Sequence, residues 1–217
     1  MANGGDRSFM RNVLIALGVF LVFLIIADLV VKSLAEERVG DQMQESLDLS
    51  NRPKVTVDAW PFVMRVMEGH FDGVTVNARN VNEGGIRLKR VELFFDDVDF
   101  SAARLLSQKK RSVEVDAATG TAVITEQDLT EALQSNGVPA TVTLSDDNAV
   151  VESELGAEAA ATVSLEGGDL VLVPEEPLEP MTVQLPPITD EVDYESVRID
   201  DGRAVISLQV RRTTLEF

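Results

Sequence analysis

The stretch VLIALGVFLVFLIIADLVV, at residues 13–31, decides how this chain is organised. Its nineteen residues carry a single charge, that of Asp28. As an α-helix rising about 1.5 Å per residue, the stretch spans about 28 Å, close to the thickness of a bilayer hydrocarbon core, about 30 Å. Arg11 precedes it and Lys32 follows it. The sequence therefore predicts a membrane-directed segment over residues 13–32 and a folded domain over residues 35–217.

Three interpretations of the apolar segment remain open: a retained anchor, a cleaved signal peptide, and a buried helix of a soluble domain. The segment is longer than a typical secretory apolar region of about 7–15 residues, which favours an anchor. Ser33 and Ala35, however, place small residues where a signal peptidase cleaves, and cleavage after Ala35 would release the domain. A run this uniformly apolar rarely packs inside a small domain.

The side of the membrane on which the domain lies is predicted from the short N-terminal head. Counting basic residues gives no orientation, because Arg7 and Arg11 before the segment are balanced by Lys32 and Arg38 after it. Only residues 1–12 precede the segment, as in signal sequences generally. We therefore expect residues 1–12 in the cytoplasm, and a single-pass membrane protein whose domain lies on the extracytoplasmic (periplasmic or envelope) side.

Composition narrows the possible functions. The chain has 217 residues, 45% of them hydrophobic, which suffices for the core of one domain beyond the apolar segment. Its net charge of −18 argues against binding nucleic acid, whose phosphates need clustered Lys and Arg. The same charge argues against broad electrostatic adhesion to anionic lipid. With no cysteine, the chain has no disulfide, thiolate nucleophile or thiolate metal site.

Beyond residue 53, apolar and polar residues alternate with a period of two, which predicts many short antiparallel strands. Before them, Ala35, Val39, Met43 and Leu47 recur every four residues and predict a helix with a buried apolar stripe. Strands follow strands rather than alternating with helices, which excludes a doubly wound fold. We expect an α+β, β-rich domain in which a curved antiparallel sheet packs against that helix.

The segment between Pro61 and Gly69 predicts a short helix, because proline suits a first helical position and glycine a C-terminal stop. This helix is bulky, and the strand near residue 94 is apolar on both faces. Such residues are either ordinary core or the lining of a lipid-sized apolar groove. The lining residues that we expect are Phe62, Val66 and Met67 on the helix, with Phe94 or Phe95 on the strand.

Catalytic and metal-binding patterns are absent from the sequence: it has no nucleophile elbow, phosphate-binding loop or His-Glu-x-x-His motif. His70, the only histidine, caps or packs at the end of the short helix or, alternatively, acts as a general base. Asp97 and Asp99 share one strand face and predict a solvated edge or, alternatively, a calcium site. We predict no catalytic residue, no metal and no cofactor.

An ordered set of weak motifs resembles a known family. These motifs are VTVDAWPF at residues 55–62, VTVNA at 74–78, GIRL at 85–88, VEL at 91–93 and LPP at 185–187. Following an apolar segment and a helix, they look like the LmeA-type phospholipid-binding proteins of actinobacterial cell envelopes. The resemblance covers roughly residues 34–217. It implies a TULIP-like (tubular lipid-binding) fold, in which a strongly curved sheet wraps a long helix and holds acyl chains, and a role around lipoglycan assembly.

A phospholipid ligand also needs basic groups near its phosphate. Arg87, Lys89 and Arg90 form a local positive island that either meets a headgroup or balances neighbouring acids. The strong acidity of the chain departs from what gripping an anionic headgroup requires. The leading interpretation is envelope-side binding or transfer of phospholipid, with phospholipid and the membrane as partners. The alternatives are a non-lipid envelope adaptor or structural domain, and an anchored hydrolase acting through a carboxylate pair.

Overall fold

The computed structural model describes residues 5–83, 85–100, 112–145, 148–185, 192–210 and 213–216. The helices in these ranges are α1 (Gly5–Ser46), α2 (Phe62–Glu68) and α3 (Glu126–Ser135). The strands, in chain order, are β1 (Lys54–Asp58), β2 (His70–Glu83), β3 (Ile86–Phe100), β4 (Ser112–Thr125), β5 (Ala140–Ser145), β6 (Asn148–Ser153), β7 (Glu158–Glu166), β8 (Asp169–Pro174), β9 (Met181–Val183), β10 (Val192–Asp200), β11 (Arg203–Val210) and β12 (Thr213–Glu216).

The strands form two antiparallel sheets. The first has the order β1–β2–β3–β4–β11–β10, and β12 also pairs with β4. One edge of the long strand β4 pairs with β12 near residue 113 and with β11 from residue 118 onward, and this sheet is curled. The second sheet is a meander, β5 to β9 in sequence order. The curled antiparallel sheet after a long N-terminal helix confirms the α+β, β-rich fold class predicted from the sequence.

The main core lies between the second sheet, α3 and the adjoining part of the first sheet. Its most buried side chains, with no exposed surface, include Ile124, Leu129, Leu133, Leu170, Leu172 and Ile206. A capping box begins α3: the Thr125 hydroxyl accepts a hydrogen bond from the Asp128 N–H at 3.2 Å, and the Asp128 carboxylate accepts one from the Thr125 N–H at 3.4 Å. These bonds satisfy N–H groups that a helix start leaves without partners.

The N-terminal helix α1 is continuous, where the sequence predicted an apolar segment followed by a separate helix near Ala35. Its most apolar 18-residue window has a mean hydropathy of 2.4 and is not buried, so α1 is long and apolar enough to span a membrane. The predicted buried stripe is partly wrong. Ala35 and Met43 are half-buried, but Val39 and Leu47 are exposed.

The domain also contacts α1 along a neighbouring line of residues. Asp28 accepts hydrogen bonds from the backbone of α2, and Glu36 accepts one from the N–H of Val57 in β1. Gly40 lies directly against the carbonyl oxygen of Pro53. Residues spaced by multiples of four share a helix face. Asp28 and Glu36 are polar because α2 and β1 meet α1 there with backbone N–H groups, which need acceptors rather than apolar side chains.

Gly40→Ala tests this contact. A Cβ at residue 40 would lie 2.8 Å from the Pro53 carbonyl oxygen, so backbone atoms would have to move. Alanine favours helix by about 1 kcal/mol relative to glycine, yet we expect the free energy of unfolding to fall by about 1–3 kcal/mol because of this overlap. Thermal unfolding of the full-length chain in detergent, followed by circular dichroism, measures the change.

Gly18→Ala is the matched control for Gly40→Ala, because nothing lies within 4 Å of a Cβ at residue 18. It should leave the melting temperature unchanged or raise it slightly. A melting temperature for Gly40→Ala equal to or above that of Gly18→Ala would show that α1 does not contact the chain at Pro53.

His70 lies where β2 begins, paired in register with Asp99 of β3. Its Nδ1 is 2.8 Å from Asp99 Oδ1, while its Nε2 lies 3.6 Å from Asp72 and 3.8 Å from Asp97. The hydrogen bond to Asp99 is the main cause that raises the pKa of His70; desolvation lowers the pKa, and the charges of Asp99, Asp72 and Asp97 raise it further. His70 is thus part of a solvated ion-pair cluster.

The raised pKa predicts how stability depends on pH. A histidine whose pKa is higher in the folded state stabilises the fold fully below its unfolded pKa, about 6.5, and this contribution is lost as pH rises through the folded value. Because His70 is the only histidine, one imidazole resonance in an NMR titration reports its pKa. We expect that pKa to lie above 6.5 and to fall in Asp99→Asn but not in Asp169→Asn. A wild-type pKa at or below 6.5 would contradict the cluster.

Candidate functional site

A second, smaller hydrophobic cluster joins α1 and α2 to β1 and β2. Its buried members are Val57, Ala59 and Phe62, and the half-buried side chains packed on them are Ala35, Val66, Phe71 and Val74. We call these seven residues the small core. It is separate from the main core and lies next to the helix that carries the apolar segment.

Two carboxylates of α1 hold the small core together. The N–H groups of Phe62 and Val63 donate to the two oxygens of Asp28 at 2.8 and 2.9 Å, and the Val57 N–H donates to Glu36 at 2.8 Å. The N-cap of α2 is Pro61, which has no side-chain hydrogen bond to offer. Asp28 therefore caps α2 from another helix, and its negative charge is favourable at a helix N-terminus.

The structure separates the three groove residues predicted on α2. Phe62 is buried and stacks on Phe71 with ring centroids 5.8 Å apart, and Val66 packs beside it. Met67, in contrast, is 78% exposed. Phe62 and Val66 therefore belong to the small core, while Met67 points away from it. The apolar outer side of α2 was not predicted from the sequence.

Phe94 and Phe95 lie on opposite faces of β3. Phe95 is half-buried and pairs in register with Val74 of β2 and Ala118 of β4. Phe94 is 43% exposed and its ring covers Gly73, where a Cβ would come within 3.2 Å of Cε2. Phe95 is thus the member of the pair that shares a sheet face with Val74 and the small core.

Half-buried apolar side chains on this sheet face connect the two cores. Leu93 packs on the main core, and its methyl group fills the space over Gly120, 2.7 Å from where a Cβ would be. Val74 packs on the small core, and Phe95 lies opposite Val74 and two residues from Leu93. We call Val74, Leu93 and Phe95 the inter-core strip. It offers apolar surface that the protein covers only in part.

Two of the predicted headgroup residues, Arg87 and Lys89, lie at another place, beside α3. Arg87 forms ion pairs with Asp128 at 3.4 Å and with Glu131 at 3.1 Å. Arg87 and Lys89 line a polar cleft of about 460 Å³. Its charged lining is balanced, with Arg87, Lys89 and Arg203 against Glu126, Asp128 and Asp201. Arg90 is exposed and lies opposite Arg79 of β2 in the strand register.

The acidic side chains near His70, Asp97 and Asp99 among them, are not arranged as metal ligands in the described ranges. Within the described ranges, no group of three or more His, Asp or Glu side chains is arranged to hold a metal ion. Asp97 and Asp99, considered as calcium ligands from the sequence, face His70 and hydrogen-bond or pair with it. The arrangement near α2 therefore consists of apolar surface bordered by ion pairs.

Comparison with known proteins identifies the family. A family model described as LmeA-like phospholipid-binding matches residues 26–216. No curated protein and no solved structure matches the chain at a significant level. The match begins two residues before Asp28 and covers both cores, the inter-core strip and the polar cleft. Because it extends over nearly the whole chain, the protein belongs to the LmeA-like phospholipid-binding family.

Proposed function

We propose that this protein binds phospholipid on the extracytoplasmic side of a cell membrane, without catalysis, and supplies it to envelope assembly such as that of lipoglycans. The observation that carries the proposal is the phospholipid-binding family match over residues 26–216. The partly covered apolar surface between the two cores and the exposed apolar length of α1 support it.

The structure favours a retained helix over a cleaved signal. Residues 33–35 lie inside the continuous helix α1, not in an extended segment. Cleavage after Ala35 would also remove Asp28 and leave the N–H groups of Phe62 and Val63 without their acceptor. Hydrogen bonds to charged groups contribute about 1.5–3 kcal/mol each, so the cut would weaken the small core. We therefore propose a single-pass membrane protein in which α1 anchors the domain.

The inter-core strip is the proposed site for an acyl chain. Val74 packs on the small core that holds Phe62 and Val66, and Phe95 lies opposite Val74 in the strand register, so we propose that these four side chains contact one acyl chain along the sheet face. Each methylene buried there contributes about 0.8 kcal/mol. Met67 and Phe94 lie outside this path. For the headgroup, Lys89 and Arg90 are the proposed contacts, because Arg87 already pairs with two acids.

Photo-crosslinking tests the lipid site. The full-length chain, purified in detergent, is incubated with a phospholipid carrying a photoreactive group on its acyl chain, and the labelled peptides are identified by mass spectrometry. Any membrane helix labels on its surface, so labelling of α1 is the internal reference. We expect additional labels on β2 and β3, because the inter-core strip contacts the chain. Labels confined to α1 would overturn the lipid site and favour the adaptor function.

Variants make this test specific. Phe95→Asp should reduce labelling of β3 severalfold while labelling of α1 persists, and Phe95→Trp keeps the surface apolar in case the charged variant unfolds. Leu155→Asp is the matched control, since Leu155 is 97% exposed on a turn far from the strip in sequence. Circular dichroism verifies the fold of each variant. A hydrolase would instead release fatty acid or headgroup over time, and one Asp or Glu substitution would abolish that release.

Cysteine labelling tests the proposed topology, because the chain has no cysteine of its own. A membrane-impermeant maleimide added to intact spheroplasts should label Leu155→Cys and spare Ser8→Cys until the cells are lysed. The opposite pattern would invert the topology. The intact mass of the mature protein decides retention in the same samples: a chain starting at Glu36 would mean that the apolar segment is a cleaved signal.

A further inference from the structure

The outer side of α2 is apolar and open. Trp60 is 65% exposed, Met64 57% and Met67 78%, and Val63 is also exposed. None of these four residues is charged, although the chain as a whole is strongly acidic. We call Trp60, Val63, Met64 and Met67 the α2 outer surface. A contiguous apolar surface of this kind on an otherwise acidic domain indicates an interaction site.

The contact between α2 and Asp28 sets the position of this surface along α1. Both oxygens of Asp28 accept backbone N–H groups from the first turn of α2. At about 1.5 Å per residue, Asp28 lies about 22 Å beyond residue 13, where the apolar segment begins. A hydrocarbon core is about 30 Å thick, so with α1 across a membrane Asp28 is about 8 Å inside the far boundary.

A carboxylate at that depth needs partners, because an ionised group without them is strongly disfavoured among lipid chains. Asp28 has them only in α2, as far as the described residues go, and α2 must therefore lie at the same depth. Surface helices in membranes typically bury their apolar side about 5–10 Å into the headgroup and acyl boundary. The depth of Asp28 falls within that range.

The charges around α2 are compatible with this placement. Arg65 pairs with Glu68 at 3.3 Å and with Asp72 at 3.2 Å, and the two charges on α2 itself, Arg65 and Glu68, balance each other. Tryptophan prefers the membrane–water interface, where its ring is half in lipid and half in water. The exposed apolar side chains of α1, from Leu17 to Leu34, continue into the α2 outer surface at Asp28.

We propose that the α2 outer surface is immersed in the interfacial layer of the same bilayer that α1 spans. The domain then lies against the membrane surface and is not attached through α1 alone. The occupant of this surface is the bilayer itself. The inference rests on the retained anchor of the proposed function. It adds a second membrane contact, next to the small core and thus next to the edge of the inter-core strip.

Trp60 reports directly on this placement, because it is the only tryptophan. The full-length chain is reconstituted into phosphatidylcholine vesicles, with and without lipid brominated near the top of the acyl chain. We expect blue-shifted emission, strong quenching by the brominated lipid and weak quenching by acrylamide. Emission quenched by acrylamide but not by brominated lipid would overturn the inference. Flotation of the vesicles tests the anchor separately, since a full-length chain that does not float with lipid contradicts insertion of α1 into the bilayer.

A lipid held in the proposed binding site must be distinguished from the bilayer. The chain is therefore also measured in detergent micelles that contain one brominated lipid per chain. If the bilayer is the contact of Trp60, the brominated lipid should not quench its emission in micelles. Quenching in micelles would place a bound lipid beside Trp60 and overturn the inference. Nitroxide labels on Met64→Cys and Met67→Cys extend the test. In vesicles they should collide more with oxygen than with a water-soluble nickel chelate, and the matched control Leu155→Cys should show the reverse. If the labels at all three positions collided more with the nickel chelate than with oxygen, and to the same extent, the result would also overturn the inference.

Discussion

The hydrogen bonds that backbone N–H groups of α2 and β1 donate to carboxylates of α1 join the N-terminal helix to the rest of this structure. Asp28 takes the first two N–H groups of α2, and Glu36 takes one from β1. Helix starts leave such groups without partners, and Pro61 offers no side-chain cap. Without the two carboxylates, α2 and β1 would lose their hydrogen bonds to α1, and the packing of Ala35 on the small core would remain.

Local signals in the sequence were sufficient for the fold class. The two-residue period predicts strands, and the apolar segment predicts a helix long enough for a membrane, because both depend only on near neighbours. The face on which α1 docks could not be predicted in the same way. Asp28 and Phe62 are 34 residues apart, and which carboxylate meets which N–H group is decided by tertiary packing. The four-residue apolar repeat therefore indicated a stripe one position away from the contact line.

The sequence does not determine where every candidate site residue points, for related reasons. On a helix as short as α2, less than two full turns, the sequence does not define a single buried face, so Met67 was grouped with Phe62 although it points outward. Two adjacent phenylalanines on β3 leave open which one faces the core, and only the register with Val74 favours Phe95. Arg87 resembles a free cation in the sequence, but its partner Glu131 is 44 residues away.

The continuity of α1 has a mechanical consequence. A loop between membrane and domain would let each reorient separately, but α1 runs from Gly5 to Ser46 without a break and is fastened to the domain at Asp28, Glu36 and Gly40. Any change in the tilt of α1 would therefore reorient the domain with it. Transmembrane helices tilt to match the thickness of their bilayer. In an anchored protein of this design, a thinner bilayer would turn the whole domain toward its surface and a thicker one would lift it, so lipid composition would set the height of the sheet above the membrane.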